Sequence, residues 1–233
     1  MRNYRLLSQR RAFLAGLGAT VLSAPLTGLA RAQGLGGTLN GLLGRATDSA
    51  LDRLVQPGAF YNDQTIRIGL PLVGGSGGGG LLGSAMKAGR RLGVLDGFTR
   101  QLNDAAGKAA GEAKPIFRAA IDDLSFTDVP GIVSHSDGGT QYLRGSAGGE
   151  LETKLRPLVD SALGDLGAFR QLDKLTGRSG ILAASGISRD GLGKSVTGQA
   201  LNGIFKYIGA EETNLRADPL GKAGSLLKGI LKN

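Results

Sequence analysis

The stretch DGLGKSVTGQALNGIFKYIGAEETNLRA, residues 190–217, decides the fold class of this chain. Its large apolar residues recur every three or four positions, which is the spacing of one face of an α-helix. Asp190 directly precedes this pattern and is of a type that favours the N-cap, so a helix is predicted to begin there. The apolar face comprises Leu192, Val196, Ala200, Ile204, Phe205, Ile208 and Leu215.

The same helical spacing of apolar residues extends over most of the chain. It predicts further helices over residues 39–54, 81–93, 96–113, 116–124, 147–167, 168–176 and 219–231. Alternating Ile66, Ile68 and Leu70 instead predict a short extended piece. Residues 74–80 are almost all glycine and predict a flexible surface loop. We therefore predict a single all-α domain of seven or eight helices over residues 33–233.

The first 32 residues have the features of a twin-arginine export signal. A pair of arginines precedes an apolar dipeptide, and an apolar run then leads to a small-x-small motif. The pair is Arg10 and Arg11, the dipeptide is Phe13 and Leu14, and the motif is Ala30-Arg31-Ala32. Glycine, threonine, serine and proline interrupt the apolar run, which argues against a membrane anchor. We predict cleavage after Ala32 and a periplasmic location, with the twin-arginine export machinery and signal peptidase as transient partners.

Charge and composition exclude several classes of protein. The chain has 28 Lys and Arg against 19 Asp and Glu, but removal of residues 1–32 takes away five arginines and no acidic residue, which lowers the net charge from +9 to +4. A mildly basic surface of this kind predicts no nucleic-acid binding. The absence of cysteine excludes disulfides, thiolate metal sites and iron–sulfur clusters, and a single histidine excludes a multi-histidine metal site. We expect no cofactor.

Three short motifs match chemical signatures without the required structural context. Residues 75–80 fit the dinucleotide-binding pattern G-x-G-x-x-G, but no βαβ unit surrounds them. Gly193-Lys194-Ser195 resembles the end of a phosphate-binding loop, yet the glycine required five positions before Gly193 is Ser188. His135 lies in a turn-rich stretch near Asp137, and we interpret it as a surface or hydrogen-bonding residue rather than a general base.

Several blocks of residues resemble the bacterial domain of unknown function 4197 family. They are FYND at 60–63, IRIGLP at 66–71, NDAA at 103–106, EAKP at 112–115, TQYLR at 140–144, LRP at 155–157, VTGQALNGIF at 196–205 and EETNLRADP at 211–219. The resemblance implies an exported, all-helical protein and carries no established activity. The chain departs from the family pattern at Asp104 and Gly107, where the family has arginine and glutamate. Any role of those two charges therefore does not carry over.

The polar residues within these blocks are the candidate binding residues. They are Asn103, Thr140, Tyr142, Arg144, Glu211, Glu212 and Arg216, together with Asn62. They either line one site or cap and brace helices, and no pair has the spacing of a known catalytic constellation. Glu212 and Arg216 lie four residues apart on one predicted helix and are expected to form an ion pair.

The sequence supports three hypotheses about function. The leading one is a non-enzymatic periplasmic helical module that binds a partner protein or an apolar small ligand. The second is an enzyme of a new type, with a cleft around Tyr142, Arg144 and the Glu211/Glu212 pair. The third is peripheral membrane association through the basic C-terminal helix of residues 219–233, although such a face more often packs on its own domain. An apolar groove favours a ligand, and convergence of the polar residues in one pocket favours an enzyme.

Overall fold

A computed structural model describes residues 26–71, 94–125, 132, 134–178 and 187–218. Over these ranges the chain forms seven helices and no β-strand, which confirms the all-α fold class. The helices are α1 (Leu26–Leu54), α2 (Ala59–Asn62), α3 (Val94–Glu112), α4 (Lys114–Asp122), α5 (Gly138–Asp165), α6 (Ala168–Arg178) and α7 (Arg189–Ala217). The helices predicted at 81–93 and 219–231, and the loop predicted at 74–80, lie outside the described residues. No described helix is both long and apolar enough to cross a bilayer.

Helices α5 and α7 share the most extensive contact in the fold and run antiparallel. The end of α7 meets the start of α5 through Glu212 and Thr140, and the start of α7 meets the later part of α5 through Asp190 and Arg156. Helix α1 packs on α7 and α4. Helix α3 contacts all six other described helices, and its small buried alanines allow this close approach.

One apolar cluster fills the space between the helices. Its largest fully buried side chains include Phe60, Phe98 and Phe117. Phe117 of α4 packs edge-to-face on Phe205 of α7, with ring centroids 6.1 Å apart and planes at 68°. The two rings thus join the short helix α4 to α7, which forms the most extensive helix contact of the fold with α5.

Residues 66–70, which follow α2, form an extended segment that belongs to no sheet of the described part of the chain. Ile66 and Ile68 are buried, while Arg67 and Gly69 are exposed, so the predicted alternation is confirmed. Leu70 is half-buried against the same core. Side chains rather than a neighbouring strand satisfy the backbone of this segment, as described below.

Two helices begin earlier than predicted. Helix α1 begins at Leu26 rather than at residue 39. Its first buried side chain among those described is Leu39, which is where the apolar periodicity begins. Helix α5 begins at Gly138 rather than at residue 147, because a distant carboxylate caps it.

Asp190 is not the N-cap of α7, so that prediction is wrong. The helix begins one residue earlier, and Ser188 is the N-cap, because its Oγ accepts a hydrogen bond of 3.0 Å from the Gly191 N–H. Asp190 lies in the first turn and accepts a hydrogen bond of 3.0 Å from Arg156 of α5. A negative charge in the first turn is stabilised by the positive end of the helix dipole, even though the side chain does not cap the helix.

Candidate functional site

Two adjacent acids near the end of α7 bind two different helices. Successive residues of an α-helix point about 100° apart, since one turn takes about 3.6 residues. Glu211 therefore faces α1, and Glu212 faces the start of α5. Both are buried, with relative exposures of 7% and 1%. The last turns of α7 are in this way tied to both neighbouring helices.

Glu212 caps helix α5 from another helix. Its Oε1 accepts a hydrogen bond of 2.9 Å from the Gly139 N–H, and its Oε2 accepts bonds of 2.7 and 2.6 Å from the N–H and Oγ1 of Thr140. Asp137, the N-cap residue of α5, makes no capping bond with its side chain. The buried carboxylate thus takes the N–H groups that a helix start leaves unpaired, and its charge suits the positive end of the dipole.

Arg216 completes the coordination of the buried carboxylate. Its Nε and Nη2 donate hydrogen bonds of 3.0 and 2.7 Å to Glu212 Oε1, so the predicted ion pair is confirmed. A Cβ at Gly139 would lie 2.8 Å from the same oxygen, so glycine permits the close approach. Both oxygens of Glu212 are fully engaged, which suits a structural brace better than a proton-transfer group.

Glu211 forms a second network toward α1. It accepts a hydrogen bond of 2.8 Å from Ser49 Oγ and pairs with Arg53. The Arg53 guanidinium lies 5.4 Å from the centre of the Tyr207 ring, and the Tyr207 hydroxyl donates a hydrogen bond of 2.9 Å to Asp63. Burial raises the pKa of Tyr207, and the bond to Asp63 raises it further.

The carboxylate of Asp63 is held in its charged form. Hydrogen bonds from the hydroxyl and the N–H of Thr65 are the main reason that its pKa lies below the usual value. The charged Asp63 carboxylate therefore accepts the hydrogen bond that holds the Tyr207 hydroxyl in place.

The structure brings together only part of the predicted site. Thr140, Glu212 and Arg216 form one network, and Arg144 lies on the same groove between α5 and α7 as Thr140. The Tyr142 hydroxyl donates a hydrogen bond to the backbone oxygen of Ser125. Asn103 lies on α3, and Glu211 faces α1, so these residues belong to separate environments.

Asn103 holds the extended segment of residues 66–70 that follows α2. Its Oδ1 accepts a hydrogen bond of 2.8 Å from the Ile68 N–H, and its Nδ2 donates bonds of 3.0 Å to the Ile68 oxygen and 2.7 Å to the Thr99 oxygen. Gln199 of α7 makes the same pair of contacts with the next residue, Gly69, at 2.9 and 3.1 Å. The two amides replace the hydrogen bonds that a neighbouring strand would supply.

Replacing Asn103 with leucine is expected to destabilise the protein by about 2–3 kcal/mol, because the buried N–H and carbonyl of Ile68 lose their partners while the side-chain size is kept. Urea unfolding followed by circular dichroism measures this change. Asn62→Leu, at an exposed position of α2, is the control and should cost less than about 0.5 kcal/mol. Equal effects of the two substitutions would contradict the role assigned to Asn103.

Three surface grooves adjoin the last turns of α7. One of about 610 Å³ lies between α5 and α7, and Thr213 and Asn214 form part of its wall. A second, of about 950 Å³, lies between α1 and α7 and includes Asn214 and Leu215. A third, of about 780 Å³, includes Leu215 and Arg216 beside the turn at residues 134–136. We use the name α7 terminal surface for residues 210–218 together with the three grooves.

Sequence reasoning missed several residues of this region. Ser49 and Arg53 were not among the candidates, because their partner Glu211 is 162 and 158 residues away in sequence. Gln199 and Asn214 lie inside two of the blocks that carried the family resemblance, so the blocks contained a signal for them. The exposed His135 stands next to the Ser134 hydroxyl, at 2.9 Å, as a surface residue.

The described residues contain no group of three or more His, Asp or Glu side chains placed to hold a metal ion. The fold and the site define a class of small all-helical protein with a closed apolar core and surface grooves of mixed polar and apolar character. The chain belongs to the family described as protein of unknown function (DUF4197), which matches residues 31–232. Neither the curated proteins nor the solved structures give a significant match.

Proposed function

We propose that this protein is a non-enzymatic helical module that binds a partner protein through the α7 terminal surface. The observation that carries the proposal is the convergence of three grooves on the same two turns of one helix. The buried Glu211 and Glu212 hold these turns against α1 and α5. The exposed Asn214 therefore stands on a rigid ridge. A rigid surface loses little conformational entropy on binding.

A protein partner suits this surface better than an apolar small ligand. Large apolar side chains fill the core, and the walls of the grooves mix polar and apolar groups, with charged and amide side chains prevailing in the groove between α1 and α7. Pockets for small ligands are usually lined by apolar and aromatic residues. Mixed polar grooves around a ridge are instead typical of the rims of protein interfaces.

An enzyme with a cleft around Tyr142, Arg144, Glu211 and Glu212 receives less support. Glu211 and Glu212 face different helices, and the Tyr142 hydroxyl is bonded to a backbone oxygen. A catalytic site needs such groups around one reacting centre. The alternative of membrane association concerns residues 219–233, which lie outside the described residues.

The proposal includes export by the twin-arginine route and action in the periplasm. Its support is the arginine pair at Arg10 and Arg11 followed by an apolar run, together with a family match that begins only at residue 31. Cleavage after Ala32 would shorten α1 from its start at Leu26 but would remove none of the described core residues, the first of which is Leu39. The mass of the protein recovered from the periplasm tests the cleavage site.

Site-specific cross-linking in the native host tests the proposed interface. The chain contains no cysteine, so Asn214→Cys introduces a unique attachment point for a photoactivatable cross-linker. We expect a single saturable adduct from this position, which mass spectrometry identifies. The purified partner should then bind the unmodified protein with one-to-one stoichiometry.

Lys174→Cys on α6 is the control, because this exposed residue lies on a helix outside the three grooves. It should give no adduct with the same protein. Equal capture from both positions, or no adduct from Asn214→Cys, would show that the α7 terminal surface is not the binding site.

A further inference from the structure

We propose that the groove between α5 and α7 receives an acidic, extended segment of the partner protein. We call it the Arg144 groove, and it is lined by Asp137, Thr140, Gln141, Arg144, Lys206 and Asn214, among others. This inference rests on the proposed function and names the chemistry of the partner.

The groove has more positive than negative charge. Arg144 and Lys206 are exposed on opposite walls, and neither forms a salt bridge with a carboxylate among the described residues, although the charge of Lys206 contributes to lowering the pKa of Asp63. Among the described residues that line the groove, Asp137 is the only one with a carboxylate, and it accepts a hydrogen bond of 2.7 Å from Gln141. Many other arginines of the described surface are paired with acids, namely Arg53, Arg100, Arg118, Arg156, Arg189 and Arg216.

Arg144 is held in place before any partner binds. Its Nη2 donates a hydrogen bond to Asn202 Oδ1, and its guanidinium carbon lies 5.4 Å from the centre of the Phe205 ring. A guanidinium fixed in this way keeps further donors for a carboxylate and loses less side-chain entropy on binding.

The start of α5 is not itself the anion site, because the Glu212 carboxylate already occupies it. The charge of Glu212 is balanced by Arg216, so the buried brace leaves the positive charge of Arg144 and Lys206 available. The amides of Gln141 and Asn214 line the same groove, toward the start of α5 and the end of α7, and can pair with a peptide backbone next to these charges. Positive side chains together with amides in a groove between two helices therefore fit an acidic peptide.

Fluorescence anisotropy with a labelled hexaglutamate peptide and the purified full chain tests this inference. We expect saturable binding that weakens as salt is raised, and no binding of a labelled hexalysine peptide. Combining Arg144→Gln with Lys206→Gln should lower the affinity for hexaglutamate about tenfold, since each rim charge contributes modestly.

The control variant combines Arg170→Gln with Lys174→Gln, which removes the same charge from the exposed face of α6. It should keep its affinity within about twofold. No binding of hexaglutamate, or an equal loss in both double variants, would overturn the inference. Binding to vesicles of anionic phospholipid with the same dependence on Arg144 and Lys206, without peptide binding, would overturn it in favour of a lipid surface.

Cross-linking from Asn214→Cys separates this inference from the proposed function. If the partner is still captured at the same yield when Arg144 and Lys206 are both replaced, the proposed function stands and the acidic segment is wrong. If hexaglutamate binds as expected but Asn214→Cys captures no partner, the groove binds acidic peptides and the proposed function fails.

Discussion

Replacing Glu212 with alanine is expected to lower the free energy of unfolding by about 3–5 kcal/mol. The carboxylate is almost fully buried and accepts hydrogen bonds from Gly139, Thr140 and Arg216. Its loss leaves the first N–H groups of α5 without partners and leaves Arg216 without its counter-charge. Urea unfolding monitored by circular dichroism measures the change.

Two further variants separate charge from shape at this position. Glu212→Gln keeps the size but turns an NH₂ donor toward groups that also donate, so a loss of about 2 kcal/mol or more is expected. Glu150→Ala is the matched control, because Glu150 is an exposed acid on α5 that pairs with Lys154 at 2.6 Å. It should cost less than about 0.5 kcal/mol. A loss below about 1 kcal/mol in Glu212→Ala would contradict the brace.

Replacing Phe117 with alanine is expected to cost about 3–5 kcal/mol, because it leaves a cavity in the centre of the core. The side chain is fully buried and packs edge-to-face on Phe205. Since Phe205 also supports the Arg144 guanidinium, the variant should weaken hexaglutamate binding in addition to stability. Thermal and urea unfolding measure the first effect, and fluorescence anisotropy measures the second.

Phe169→Ala provides the same chemical change at a half-buried position on α6. It should cost about 1 kcal/mol, because less apolar surface returns to water. If the two substitutions destabilise the protein equally, Phe117 does not occupy the central position assigned to it.

Apolar periodicity was sufficient to predict the fold class and the principal helices. Leu192, Val196, Ala200 and Ile204 mark α7 because one face of that helix is buried along its length. The alternation of Ile66 and Ile68 likewise predicts the extended segment, since burial alternates along it.

Features that depend on distant contacts could not be predicted from local patterns. The start of α5 is capped by a residue 73 positions away, so the local sequence around Gly138 does not predict that a helix begins there. Sequence spacing predicted the Glu212–Arg216 pair, but not that the glutamate is buried and shared with α5. The role of Asn103 depends on Ile68, 35 residues earlier, and emerges only when α3 is placed beside the extended segment.

For the same reason, the sequence predicted only some of the residues that line the Arg144 groove. The polar residues of the recognised blocks include both the brace and one wall of the groove, yet Asn103 and Tyr142 bond to backbone groups outside the groove. Lys206 stands on the opposite wall without belonging to any motif. A groove between antiparallel helices combines residues that are far apart in sequence.

The central claim is that the α7 terminal surface binds a partner protein, and an affinity measurement with the captured partner tests it most directly. Isothermal titration should show at least about tenfold weaker binding for Asn214→Arg, because the larger side chain stands on the ridge between two grooves. Ser161→Arg, on an exposed position near the opposite end of α5, should bind within about twofold of the unmodified protein. Unchanged affinity in Asn214→Arg, with the folded state intact by circular dichroism, would contradict the claim.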